Sequence, residues 1–342
     1  MQGAFILGSA RCGSTLVSEI LRSHPAILSL SEVFSMAGPA AFPAGRISAG
    51  RFWRGLARPT RLGSTIGNPK VAPQEFLYGR QPNPQHDPFF CPPILAIALP
   101  HLSTDPDALF DRLAETALAA PRQTAPDHYR NLFETLAHMQ GKRLWVERSG
   151  GSLAATATLA AAFPDSRHVF LTRSGVETTL SMADYPATRM AVWMWKRLAP
   201  LGLDLLDPQS HYGRGRIWRL LQPLCGLAPL GRILAQKPDL CDVAGFWSAM
   251  TLRALPALRA LPKTDFHHLS YEALIAEPGP QVAALGQFLA GEAPLDWLTT
   301  ATALPKSRPP RSATLDPALR NRLRDACAPA ESAIAEFLAT RS

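Results

Sequence analysis

The stretch that most constrains this chain lies at its start. A short apolar run, Phe5-Ile6-Leu7, meets the small-residue loop Gly8-Ser9-Ala10-Arg11-Cys12-Gly13, and an amphipathic segment follows with Leu16, Ile20 and Leu21 on one face. That order reads as strand, tight turn, helix. Gly8 and Gly13 let backbone approach a ligand closely, and a helix opening at Ser14 offers unpaired N–H groups and the positive end of its dipole. Such a turn suits phosphate or sulfate. Without a ligand the same residues make an ordinary strand–helix connection.

The loop falls one residue short of the nucleotide-binding pattern G-x-x-x-x-G-K-[ST], because Ser14 stands where the lysine belongs. That lysine contacts the β- and γ-phosphates, so its absence argues against nucleotide hydrolysis. Arg11 supplies the positive charge instead. The run Arg11-Cys12-Gly13-Ser14-Thr15 resembles the 5'-phosphosulfate loop of sulfotransferases that use 3'-phosphoadenosine 5'-phosphosulfate (PAPS). The resemblance implies that Arg11, Cys12, Gly13, Ser14 and Thr15 hold the sulfated end of that donor.

Further stretches resemble the same family, including its bacterial members. Arg173 ends an expected strand, His168–Thr172, and Ser181 follows eight residues later in the next helix. The run Val169-Phe170-Leu171-Thr172-Arg173 through Ser181-Met182 is similar to the family's 3'-phosphate segment, which implies that role for Arg173 and Ser181. A guanidinium suits it by offering phosphate a two-pronged fork. Otherwise the pair is a strand-end arginine and a serine bonded to its own helix. Trp145-Val146-Glu147-Arg148 occupies the place where tyrosylprotein sulfotransferases carry a strand ending in Lys-x-Pro, with Arg148 at the lysine. Arginine keeps the charge but donates no proton, its pKa being above ~12. Arg148 is therefore either the catalytic cation or an ion-pair partner of Glu147.

Glu32, 21 residues after Arg11, falls at the family's catalytic glutamate, and Ser31-Glu32-Val33-Phe34 also resembles the Glu-x-Phe of trehalose-type sulfotransferases. A carboxylate there would take the acceptor's hydroxyl proton. His24 and the pair His267-His268 are rival bases, although a helix end and a core strand suit them to structural roles. Tyr271-Glu272-Ala273-Leu274 resembles a family element near the cofactor, and late cofactor loops in the family make Lys306 and Arg308 candidates, with Arg311-Ser312 beside them. Basic residues in a proline-containing loop are commonly just solvated. Cys12 takes a position where these families usually have serine. A helix N-terminus and Arg11 would lower its pKa from about 8.5 and leave a reactive thiolate, unless burial makes it an inert turn residue.

Composition sets the wider limits. The chain has 342 residues, 46% of them hydrophobic and 18% charged, enough for a large core. Its net charge of +8 comes from 35 basic residues, of which six are lysine, spread without a dense run. That distribution suits an anionic cofactor better than nucleic acid. Five cysteines without metal-ligand spacing fit a reducing compartment, and no apolar run approaches the ~18 residues needed to span a bilayer. A cytoplasmic protein without a signal peptide is the expectation, and a homodimer is compatible with it.

Strands and helices alternate along the chain. Strands are expected near Ile27–Leu30, Lys142–Glu147, His168–Thr172 and Phe266–Leu269. Helices are expected at Pro106–Ala119, Asp127–Gln140, Ser152–Phe163, Gly175–Ala183, Asp242–Leu261 with Pro256 kinking or splitting it, Pro278–Leu289 and Pro317 to about Leu338. The alternation predicts an α/β fold, a central parallel sheet with a P-loop-like phosphosulfate loop and helical insertions, in a single domain over 1–342. The insertions fall at about 37–100 and 190–241. The first is proline-rich with little periodicity, yet Phe76, Tyr78, Phe89 and Phe90 favour an ordered covering loop. Trp193, Trp195 and Trp218 in the second either stack on a substrate or belong to the core.

The resemblance covers Phe5–Phe34, Leu144–Met182 and His267–Leu289. It implies metal-free transfer of a sulfuryl group from PAPS to a hydroxyl acceptor: a carbohydrate, lipid alcohol, phenol or tyrosine. A P-loop kinase-like phosphotransferase and a non-catalytic nucleotide-binding module are the alternatives.

Overall fold

A computed structural model of the chain describes residues 1–38, 41–67, 69–70, 76–207 and 230–341; Trp218 and Cys225 lie outside them. Seven strands occur among these residues: β1 (Gln2–Gly8), β2 (Ile27–Ser31), β3 (Arg46–Ile47), β4 (Gln123–Thr124), β5 (Leu144–Arg148), β6 (Arg167–Thr172) and β7 (Phe266–Ser270). Five form a parallel sheet in the order β2-β5-β1-β6-β7, and β3 and β4 make a short antiparallel ribbon. The α/β architecture expected from the alternating elements is the one observed. Every residue of β2 and β5 is buried, as is β1 after its first residue. Burial on both faces keeps these strands rich in apolar residues, which made them legible although Ser29, Ser31, Glu147 and Arg148 lie within them.

The chain forms two compact units. One comprises residues 1–3 and 26–149, and the other residues 4–25 together with the described parts of 150–207 and 230–341. In the first, β2 and β5 pair so that Ser31 lies opposite Arg148. Its core is aromatic. Phe34 meets Tyr129 edge-on at 4.9 Å and Phe42 at 5.1 Å, and Phe133 lies 5.0 Å from Trp145.

The stretch expected to be irregular, 37–100, carries helices at Ala49–Ala57 and Arg61–Ile66. Arginines and glycines interrupt the apolar pattern of the first, but Phe52, Trp53 and Leu56 still fall on one buried face. The Ser48 and Thr60 side chains cap the two helices by accepting from Arg51 N–H and Gly63 N–H. Of the four aromatics, Phe76 and Tyr78 are buried, and Tyr78 donates a 2.7 Å hydrogen bond to Asp107. Phe89 and Phe90 face solvent.

In the second unit β1, β6 and β7 run parallel, with Gly8 opposite Leu171 and Thr172 opposite Ser270. The helices Gly175–Ala183, Leu240–Ala260 and Pro317–Ala339 pack together beside them. Leu240–Ala260 is one continuous helix through Pro256, not two. An internal proline costs about 3 kcal/mol, and the buried side of this helix offsets that with Phe246, Trp247, Met250, Leu255 and Leu258. Trp195 joins this core, 5.7 Å from Phe246, while Arg197 lies over Trp193. No helix among the described residues is long and apolar enough to cross a membrane.

Phe337 is fully buried near the end of the last helix, with Phe266 at 5.5 Å and Phe170 at 6.2 Å. Phe337→Ala is expected to destabilise the protein by about 3–5 kcal/mol, read as a lowered urea midpoint. A midpoint within error of the parent would place that ring outside the core.

Candidate functional site

Two groups of candidate residues, one in each unit, take shape at the ends of strands. In the second unit β1 stops at Gly8 and the helix Ser14–Arg22 starts after Gly13, whose φ is 100°. No side chain caps this helix and no acidic residue sits in its first turn. The first helical N–H to reach a backbone acceptor is that of Val17, 3.3 Å from Gly13 O. The leading donors of Ser14, Thr15 and Leu16 come before it, where a helix leaves N–H groups without internal partners. Ser14 is buried and Thr15 exposed. A Cβ on Gly13 would lie 2.3 Å from the Tyr271 ring, so both contact and conformation require glycine.

Arg11 occupies the left-handed region at φ 66°. Its Nε donates to Ser181 Oγ at 3.2 Å, and its guanidinium lies 5.1 Å from the Tyr185 ring. Arg173 follows β6 directly, donates to the Arg11 carbonyl at 3.2 Å and stacks 4.6 Å from the centre of the Tyr271 ring. Its Nε is buried and has no hydrogen-bond partner among the described residues. The structure thus brings Arg11, Gly13, Arg173, Ser181 and Tyr271 into one cluster. Two guanidiniums and a bare helix start make it a donor set suited to anionic groups.

The direction of the loop decides between the two readings of Cys12. Cys12 is 1% exposed, and a Cβ on Gly8 would lie 2.6 Å from its sulfur, so the thiol is packed against β1 instead of being offered to solvent. The loop sends Arg11 toward Ser181 and its neighbour inward. A reactive, alkylatable Cys12 is therefore not what this turn presents. Lys306 and Arg308 are exposed and make no hydrogen bond or ion pair among the described residues. Arg311, beside them, is anchored instead: its guanidinium binds Leu180 O and Asp184, and Glu177 accepts the amides of Arg311 and Ser312. Although burial pushes the Glu177 carboxyl up, those amides and the Arg173 charge hold it below the usual range.

In the first unit β2 ends at Ser31, and Glu32 takes a left-handed conformation, φ 60°, before the short helix Val33–Ala37. Glu32 and Arg11 are the two non-glycine residues with positive φ among the described residues. Such conformations cost about 1–3 kcal/mol each and persist where surroundings enforce them. Arg148 forms a salt bridge with Glu32 and donates to Ser31 Oγ at 3.2 Å. It does not pair with Glu147, because neighbours on a strand point to opposite faces. Glu147 is 1% exposed and accepts from Val33 N–H at 3.1 Å and from the Ser149 hydroxyl at 2.6 Å. Burial, reinforced by the Glu32 charge, pushes its carboxyl up to about 8. Nothing in the sequence singled out Tyr185 or Ser149, and Glu147 entered only as an ion-pair partner for Arg148.

No family model matches the chain, and no curated protein matches it. Among solved structures, it is similar to a sulfotransferase domain from the curacin biosynthetic pathway (16% identity, TM-score 0.47, 98% of each chain covered). It is also similar to the sulfotransferase domain of the Synechococcus PCC 7002 olefin synthase (16% identity, TM-score 0.46, 97% of this chain and 94% of that one). A third is a sulfotransferase from Alicyclobacillus acidocaldarius (16% identity, TM-score 0.42, 96% and 92% covered).

The rival bases are structural. His24 is fully buried, 3.4 Å from Glu292 O and edge-on to Trp297. His267 stacks on Phe288, and His268 Nε2 lies 2.9 Å from Thr172 Oγ1. Burial, aided by the neighbouring His267, depresses His268 to about 4. Its folded-state proton affinity is below the unfolded value near 6.5, so its contribution to stability is present above about pH 6.5 and lost as pH falls toward about 4. His268→Gln is expected to lose less stability than the parent over that interval, measured by urea unfolding. Equal losses would mean His268 is not held neutral in the folded protein.

Proposed function

We propose that this chain is a sulfotransferase that moves a sulfuryl group from PAPS to a hydroxyl acceptor. The observation that carries the reading is the direct connection between two sequence segments expected to hold opposite ends of one cofactor. Arg11 of the first loop bonds Ser181, and Arg173 bonds the Arg11 carbonyl. Tyr271 supports it by contacting both the Gly13 turn and Arg173.

Each residue then has a stated task. The amides of Ser14, Thr15 and Leu16, with Arg11, hold the phosphosulfate end, and Arg173 and Ser181 hold the 3'-phosphate. Bound PAPS supplies the sulfuryl group. Glu32 accepts the acceptor's hydroxyl proton as the oxygen bonds to sulfur, and the adenosine bisphosphate departs with the electron pair of the broken S–O bond. Arg148 pairs with Glu32 and orients its carboxylate. It also stabilises charge that develops on the bridging oxygen. The acceptor is a carbohydrate, lipid alcohol, phenol or tyrosine.

Thermal shift with adenosine 3',5'-bisphosphate, PAPS, ADP and ATP-Mg²⁺ tests the donor. Stabilisation by the bisphosphate and not by ATP-Mg²⁺ is expected, and the reverse ranking would favour a kinase-like phosphotransferase. Arg173→Ala should weaken bisphosphate binding by ~1.5–3 kcal/mol with the fold intact, and unchanged affinity would put the 3'-phosphate elsewhere.

A screen of cell extract with sulfur-labelled PAPS would supply the acceptor. With it, Glu32→Gln should keep normal bisphosphate affinity and lose turnover by about 10²–10⁴-fold. Near-normal turnover would remove Glu32 from the base role.

A further inference from the structure

The residues Glu147, Arg148 and Ser149, at the end of β5 and just beyond it, address four successive amides of the turn that carries Glu32. Glu32 N–H donates to the Arg148 carbonyl at 2.7 Å, and Val33 N–H to Glu147 Oε1 at 3.1 Å. Phe34 N–H and Ser35 N–H both donate to Ser149 Oγ, at 3.1 and 3.2 Å. The Ser149 hydroxyl itself donates to Glu147 Oε1 at 2.6 Å, which fixes the direction of the whole set. The helix Val33–Ala37 therefore begins saturated by buried side chains of its own unit, whereas Ser14–Arg22 begins bare.

We infer that Glu147 and Ser149 are positioning residues for Glu32, holding its left-handed turn so that its carboxylate stays matched to Arg148. The inference rests on the reading of Glu32 as the base. A residue at positive φ relaxes unless its neighbours over-determine it, and here a carboxyl and a hydroxyl do so, each at most 2% exposed.

The second oxygen of Glu147, Oε2, is buried without a hydrogen-bond partner among the described residues. That is the place for a proton: a neutral acid there leaves no unpaired buried charge. The charged or titratable groups that face it are Glu32, Arg148 and Tyr129, and burial together with the Glu147 charge keeps the Tyr129 phenol protonated. While Glu147 is neutral, Arg148 serves Glu32 alone. Ionisation as pH rises through about 8 sets a second carboxylate near Glu32, where the charges of Glu32 and Arg148 are both felt.

The test is carboxyl NMR of full-length protein labelled with ¹³C-glutamate, with Glu32→Gln and Glu147→Gln assigning the two signals. In the parent, the Glu147 carboxyl should titrate near pH 8 and the Glu32 carboxyl should shift in the same step. In Glu147→Gln the step near pH 8 should vanish from the Glu32 signal. Ser149→Ala should lower turnover roughly tenfold, the effect of stranding buried donors, with KM for PAPS unchanged. Glu147→Gln should hold its turnover above pH 8, where the parent declines. A Glu32 signal in the parent that ignores pH 7–9 would overturn the proposal without any variant. Near-normal turnover of Glu32→Gln, with the coupled NMR step intact, would overturn the base reading and leave the positioning in place. A crippled Glu32→Gln beside an uncoupled Glu147 would do the opposite.

Discussion

A strand buried on both faces offers few side chains along its length, so chemistry gathers at and just beyond its end. Strands β1, β2 and β5 are buried almost end to end, and β6 is buried through its middle. Each is followed at once by a residue or turn that matters: Arg11 and Gly13 after β1, Glu32 after β2, Ser149 after β5, Arg173 after β6. A chain leaving such a strand must turn sharply, and two of these turns place a non-glycine residue in the left-handed region. The strained positions and the proposed functional positions coincide because the same geometry makes both.

The two clusters treat charge in opposite ways. Around the loop in the second unit, cations are gathered: aromatic rings lie against the Arg11 and Arg173 guanidiniums, and the Arg173 Nε is buried with no hydrogen-bond partner among the described residues. Anchoring carboxylates are present nearby, but Glu177 and Asp184 spend themselves on Arg311, Ser312 and Lys237. In the first unit the cation is already matched, by Glu32 on Arg148. An arrangement of the first kind is chemically suited to an anionic ligand, whereas one of the second kind satisfies its charge internally.

Much of this was visible in the sequence, for identifiable reasons. The sheet strands were legible because burial keeps each of them largely apolar, and the helices Pro106–Ala119 and Gly175–Ala183 have the bounds expected of them. Helix Ala49–Ala57 escaped notice because Gly50, Arg51, Arg54 and Gly55 break up an apolar face that tertiary packing still uses. Pro256 does not split the helix Leu240–Ala260, since local propensity yields where a long helix has a large face to bury. The motif residues Arg11, Gly13, Arg173, Ser181 and Tyr271 were found together. Direction was not legible: no pattern of letters said that Cys12 faces β1 or that Arg148 turns to Glu32. The capping roles of Ser149 and Glu147 were invisible because they act through backbone amides distant in the chain.

The second unit is assembled from opposite ends of the chain, Ala4–Pro25 and a C-terminal helix whose Phe337 fills the space between Phe170 and Phe266. On the ribosome this has a consequence. Residues 26–149 emerge with most of what the first unit contains, whereas β1 and its loop must wait for more than 300 residues of further synthesis before the core beneath β6 and β7 can close. The nascent loop therefore spends translation without its full support, and a chain released shortly before Phe337 would carry every motif residue on a core that has not sealed.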